Sequence, residues 1–268
     1  MAPPVKNREW IENGILPKGG IMLFGGDTGI GKTFIILNMI RSLVEGSNFL
    51  GTEWRVMDKP KSILYLDAEI GKDLLSNRVK KVFKGCENFG PGSVNAECDT
   101  GLIKLDTAAG RTKFYDKIKT CKVVPDVVVI DPLSYFLENG DNDNQVASSV
   151  YDGFRYAQQT FNRDMTFVLS HHYNKKPRGQ GLDNFDPLDL HNFRGATKWS
   201  NIAWTVLTLN RTKDNNDEGW NLEARYAKIR AQKPISGTHY YRVHGDSLLV
   251  KPRTTPPVRR AGGDDIWG

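Results

Sequence analysis

Gly25-Gly26-Asp27-Thr28-Gly29-Ile30-Gly31-Lys32-Thr33-Phe34 is the stretch on which the fold turns. From Gly26 the spacing is G-x-x-x-x-G-K-T, in which glycines let backbone N–H groups curl around phosphate oxygens that a Cβ would obstruct. Lys32 supplies a point charge for the β- and γ-phosphates, and Thr33 offers a hydroxyl to Mg²⁺ at the start of the following helix. The positive end of that helix's dipole faces the same anion. On the N-terminal side, apolar Ile21-Met22-Leu23-Phe24 reads as a strand; on the other, Phe34-Ile35-Ile36-Leu37-Asn38-Met39-Ile40 reads as a helix. Strand, loop and helix in this order imply a nucleoside triphosphate held by Gly26, Asp27, Thr28, Gly29, Ile30, Gly31, Lys32 and Thr33.

The 268 residues, 39% of them hydrophobic, suffice for one large α/β core or a core with a small appendage. A balance of 37 basic against 31 acidic residues leaves a net charge of +6, a mild excess that suits a polyanionic partner and that nucleotide alone partly explains. Cys86, Cys98 and Cys121 are odd in number and lack paired metal-ligand spacing, which argues for a reducing compartment with neither disulfides nor zinc. No apolar run approaches a membrane span and the first ten residues, MAPPVKNREW, hold no apolar signal core, so the expectation is a soluble, cytoplasmic protein.

Outward from the loop, residues 1–13 read as a polar lead-in with a helical turn around Arg8-Glu9-Trp10-Ile11, and 17–20 as a turn into the first strand. After an irregular stretch over 46–61, Ser62-Ile63-Leu64-Tyr65-Leu66 is a buried-strand pattern, with a helix predicted over 73–83. The segment 85–101 reads as a loop, Ile103-Lys104-Leu105 as a short strand, and 111–119 as a helix. Val127-Val128-Val129-Ile130 is apolar without alternation, which fits a parallel strand covered on both faces. A helix over 146–162 and a strand over 166–170 follow. The long polar segment 173–192 is of the kind that usually carries function. Three closing strands are expected over 202–209, 222–229 and 239–250, with a Pro- and Arg-rich disordered tail over 251–268.

Strands alternating with helices imply a doubly wound parallel sheet, whose ligands sit at the carboxyl ends of the strands. Asp131 follows the 127–130 strand, where a carboxylate stands beside Mg²⁺ across from the phosphate loop; a turn or cap aspartate before Pro132 is the plainer alternative. Glu69 follows Leu64-Tyr65-Leu66-Asp67-Ala68, where a carboxylate orients and deprotonates the water attacking the γ-phosphate, unless it is only a solvated strand-end residue. His171 and His172 close the strand beginning at Thr166. Neighbours on a strand face opposite sides, so only one of the pair is expected at the γ-phosphate. We assign that contact to His171, a structural hydrogen-bonding role for both being the alternative.

These motifs resemble the RecA-like ATPases, and within them the hexameric replicative helicases typified by DnaB and the small RepA-like enzymes of plasmids and phages. The likeness runs from about Trp10 to Val250, with the ATPase domain over 14–250. GGDTGIGKT is similar to Walker A, VVVIDPL to Walker B, YLDAE to the segment bearing the catalytic glutamate, and LSHH to the sensor strand. The resemblance implies a RecA-like P-loop NTPase core, a mostly parallel twisted sheet flanked by helices with C-terminal antiparallel strands, using ATP and Mg²⁺. Lys228-Ile229-Arg230 resembles the K-x-R fingers that reach a neighbouring subunit's ATP, although a solvated basic strand end is common. Arg194, in FRGATKWS, resembles the arginine-bearing segment after the long loop and is a second finger or a DNA contact.

In that family the loops after the Asp131 and His171 strands line a central channel. Lys175, Lys176 and Arg178 in the second loop would neutralise phosphates of single-stranded DNA without reading bases, a plain solvated loop being the alternative. The first, ENGDNDNQ, is acidic and suits DNA poorly. The implied function is an ATP-dependent DNA helicase acting in replication as a homo-oligomer, most simply a hexameric ring. A recombinase or strand-annealing ATPase shares these motifs, and so does a nucleotide-dependent assembly module, against which Glu69 argues. Asp264-Asp265-Ile266-Trp267-Gly268 resembles the acidic, hydrophobic tails by which single-strand binding proteins recruit partners, here a replication protein, a plain frayed terminus being the alternative.

Overall fold

The computed structural model describes residues 8–89, 93–98, 103–172, 186–190, 197–212, 219–230 and 235–254. Strands β1 (Glu9–Ile11) and β2 (Leu16–Pro17) form an antiparallel ribbon, followed by β3 (Ile21–Gly26) and helix α1 (Lys32–Glu45). Then come β4 (Ile63–Asp67), α2 (Lys72–Val82), β5 (Val94–Glu97), α3 (Ala108–Thr120), β6 (Val127–Asp131), α4 (Asn144–Thr160) and β7 (Thr166–His172). The chain closes with α5 (Thr197–Ile202), β8 (Thr205–Thr212), β9 (Gly219–Ile229), β10 (His239–His244) and β11 (Val250–Arg253).

The main sheet has the order β11-β10-β9-β8-β3-β7-β6-β4-β5. From β8 to β5 neighbouring strands are parallel, and from β8 to β11 they are antiparallel. The apolar runs of β3, β4 and β6 are buried throughout because helices cover both faces of the sheet. One face packs α1 and α2, through Ile36, Met39, Ile40, Leu75 and Val82, against Met22, Phe24, Ile63 and Tyr65. The other packs α3, α4 and α5, through Phe114, Ile118, Phe154 and Trp199, against Leu23, Val128, Ile130 and Phe167, with Phe154 stacked on Phe167 at 4.0 Å.

The sequence expectation for the parallel core holds, and the differences lie at its margins. The expected helical turn around Arg8–Ile11 is strand β1, because Trp10 and Ile11 are buried at 3% and 0% exposure and the Trp10 indole donates to Thr166 Oγ1 at 2.9 Å. A strand, β5, lies inside the segment read as loop and pairs with β4, whereas Ile103–Leu105 is not a strand: Leu105 N–H donates instead to the Phe136 carbonyl. Among the described residues the antiparallel end of the main sheet has four strands, β8 to β11, where three were read, because the strand expected over 239–250 is divided into β10 and β11. Residues 251–253, placed in the tail, belong to β11, where Lys251, Pro252 and Arg253 pair with Arg242, Tyr241 and Tyr240.

Candidate nucleotide site

Register decides which side chains meet at the carboxyl edge of the sheet. On β3, Gly25 and Gly26 stand level with His171 and His172 of β7, and Asp67 of β4 stands level with Asp131 of β6. Gly26 has φ +159°, and a Cβ there would lie 2.0 Å from Ile30 Cδ1 and 2.8 Å from the Leu209 carbonyl oxygen. Gly31, with φ +109°, ends the loop as the N-cap of α1, so Lys32 and Thr33 open the helix. The loop closes so tightly that only glycine serves at its first position.

Lys32 is 6% exposed, and its ammonium donates to the Gly26 and Asp27 carbonyls at 2.9 Å each and to His172 Nδ1 at 3.2 Å. Burial lowers its pKa from 10.5 to about 8, against the carboxylates of Asp131, Glu69 and Asp27, which hold the charged form. Thr33 Oγ1 donates to Asp131 Oδ2 at 2.8 Å, and the Tyr65 hydroxyl donates to the same oxygen at 2.6 Å. Asp131 is 2% exposed, so these donors stabilise a carboxylate withdrawn from water. Burial, then the charge and hydrogen bond of Asp131, push the Tyr65 phenol well above its ordinary value, which keeps it a donor.

Glu69 stands on a turn built by Asp67, whose carboxylate accepts from the backbone N–H of Gly71 at 2.9 Å and of Ile70 at 3.2 Å. Glu69 joins Gly29, Gly31, Lys32, Thr33, Phe34, Ile70, Arg78, Asp131 and His172 around a cavity of about 160 Å³. The residue is exposed overall, yet desolvation of its carboxyl, then the charge of Asp131, raises its pKa above the ordinary 4.5, with Lys32 pulling the other way.

Of the sequence-assigned residues, the structure brings together Gly26 through Thr33, Asp131 and Glu69. It does not bring His171 to the loop. His171 is fully buried on the other face of β7, its Nδ1 3.9 Å from Asp141 Oδ2 and its ring edge-on to Trp199, while His172 meets Lys32 and lies 3.4 Å from Thr28 Oγ1. Strand alternation turns His171 into the core beside Trp199 of α5, so of the two histidines it is His172 whose side chain faces the loop. Lys228 and Arg230 lie at the opposite edge of the sheet, where β9 ends beside Thr205 and Val206 at the start of β8. There Lys228 donates to the Ser200 and Asn201 carbonyls at 2.6 and 3.1 Å, and Arg230 to the Asn201 carbonyl at 2.9 Å. Arg194, Lys175, Lys176 and Arg178 lie outside the described residues, as does the tail from residue 255. Sequence reasoning missed Tyr65, whose hydroxyl looks like ordinary strand filling, and Arg78, one of several cations on α2.

The closed loop, the buried lysine and the hard oxygens of Thr33 and Asp131 fit a triphosphate carrying Mg²⁺. A phosphate loop leading into a helix, a buried aspartate two strands away across β7, and a parallel sheet holding both define a P-loop NTPase. The chain belongs to the AAA domain family of such ATPases, whose model matches residues 1–178. No curated protein matches the chain. Among the described residues, no helix is long and apolar enough to cross a membrane.

Proposed function

We propose that this ATPase is a RecA-like DNA helicase, a homo-oligomeric ring of six copies that hydrolyses ATP to translocate on single-stranded DNA during replication. The observation that carries the reading is the placement of Lys228 and Arg230 at the sheet edge opposite their own phosphate loop. Cations so placed cannot serve the site of their own subunit, but in a head-to-tail ring each would face the next subunit's nucleotide. Within one subunit, Lys32 and the loop amides bind the phosphates, Glu69 takes the proton of the attacking water, and His172 contacts the γ-phosphate in the role first given to His171. Bound Mg²⁺, held through Thr33 and Asp131, would neutralise charge developing between the β- and γ-phosphates. Lys175, Lys176 and Arg178, with Arg194, would supply the DNA contacts, and the 264–268 segment a replication partner's docking point.

The test is ATP hydrolysis with and without single-stranded DNA at one fixed low salt concentration, then unwinding of a forked duplex, with Glu69→Gln as the control. The reading predicts DNA-stimulated hydrolysis and unwinding, both lost in the variant. Hydrolysis indifferent to DNA would favour an assembly ATPase, and homologous pairing without unwinding a recombinase.

A further inference from the structure

Four side chains from four elements form a ladder beside the phosphate loop. The Arg211 guanidinium of β8 lies 5.0 Å from the ring centroid of Trp220 on β9. Trp220 meets Phe34 of α1 edge-on, centroids 5.2 Å apart at 64°, and Phe34 carries the Arg78 guanidinium of α2 at 4.7 Å. The ladder touches the loop itself, since a Cβ on Gly31 would lie 3.2 Å from Trp220 Nε1, and Phe34 and Arg78 also line the phosphate cavity. Trp220 and Phe34 are half-buried and Arg211 is exposed, so the ladder meets solvent at the rim of the site. Trp220 Nε1 is buried and meets no acceptor among the described residues.

A planar base stacks readily on indole and guanidinium surfaces, because every base offers a π-face, and such stacking is worth roughly tenfold or more in affinity. A platform of this kind reads the face of a base and leaves its hydrogen-bonding edge unread, so larger purine rings gain over pyrimidines while adenine and guanine remain nearly equal. We propose that Arg211 and Trp220, braced by Phe34 and Arg78, form the surface on which the bound nucleotide stacks its purine base. The inference rests on the nucleotide reading of the phosphate loop and is independent of any action on DNA.

The experiment measures equilibrium affinities of the full chain for ADP, GDP, CDP and inorganic tripolyphosphate, each with Mg²⁺ and without DNA. Tripolyphosphate engages the phosphate loop alone and so separates base stacking from loop integrity. Trp220→Ala is expected to weaken ADP about tenfold, and Arg211→Gln about threefold, with tripolyphosphate unchanged in both. The wild type should bind GDP within about threefold of ADP, and CDP more weakly than either. An equal fall for ADP and tripolyphosphate in Trp220→Ala would overturn the proposal, because Trp220 would then only shape Gly31. So would a preference for ADP over GDP on the order of a hundredfold, which stacking cannot give. If Trp220→Ala loses its folded circular dichroism, exposed Arg211→Gln decides, and unchanged ADP affinity in it overturns the proposal. Tight tripolyphosphate binding with any of these failures would leave the phosphate-loop reading intact.

Discussion

Asp131 accepts two hydrogen bonds on one oxygen, from Thr33 and Tyr65, which fixes the carboxylate against the loop before any ligand arrives. Glu69 is placed differently, on an exposed turn that lines the cavity. Replacing it by Gln is expected to lower kcat by about 10²- to 10⁴-fold while MgATP affinity is kept, measured by steady-state hydrolysis beside equilibrium binding. If Glu69 is the base it works deprotonated, and desolvation of its carboxyl and the charge of Asp131 raise its pKa above 4.5, so hydrolysis should rise with pH along an acid limb whose midpoint also lies above 4.5. A kcat/KM–pH profile, which reports the free enzyme, checks this, and a limb persisting in Glu69→Gln would assign it to another group. The two histidines separate by readout. His172→Ala should lower kcat with little change in unfolding, whereas His171→Ala, at a fully buried position, should cost roughly 1–3 kcal/mol in a denaturant titration. Asp131 and Glu69 were legible in the sequence because each follows an apolar run. The histidine choice was not: alternation says that two neighbours diverge, but only the packing of Trp199 and Asp141 on one face tells which side is the core.

Elements were legible where burial is two-sided and long, as in β3, β4, β6 and α1, and illegible where tertiary pairing overrides a weak local pattern. β5, with sequence VNAE, has one hydrophobic anchor and is a strand because β4 offers a free edge. α5 is a six-residue helix whose identity comes from Trp199, sunk beside His171 with its indole donating to the Asp141 carbonyl. β1 is too short for a period, yet its Trp10 joins three segments: its indole donates to Thr166 Oγ1, that hydroxyl donates to the Pro17 carbonyl, and Gly19 N–H donates back to it at 3.0 Å. Lys18 adds its ammonium 4.3 Å over the Trp10 ring. The ribbon is thereby fastened to the start of β7, the strand whose far end carries His172. Trp10→Ala is expected to destabilise the protein by roughly 3–5 kcal/mol in chemical denaturation. Trp10→Phe, which keeps most of the volume and loses the hydrogen bond, should cost about 1–2 kcal/mol. Equal losses would mean that the hydrogen-bond junction, more than the buried ring, holds the ribbon.

At the scale of the whole molecule, the phosphate loop and the Lys228–Arg230 pair occupy opposite edges of one sheet, and a rigid sheet keeps them apart. Both cations donate to carbonyls at the end of α5, so reaching a neighbour's phosphate means exchanging neutral acceptors for an anionic one, a favourable exchange for a guanidinium. If the pair acts between subunits, Arg230→Ala and Glu69→Gln damage different halves of a shared site. Each protein alone should hydrolyse ATP at least tenfold more slowly than the wild type, since it lacks one half everywhere. Mixed and allowed to assemble, an Arg230→Ala subunit keeps Glu69 and can take Arg230 from a Glu69→Gln neighbour, so an intact composite site reappears. Hydrolysis by the mixture should then exceed the sum of the separate proteins, and should do so only at concentrations where they assemble. A mixture no more active than that sum would place the role of Arg230 within its own subunit, where its distance from the loop leaves stabilising the α5 end as its contribution.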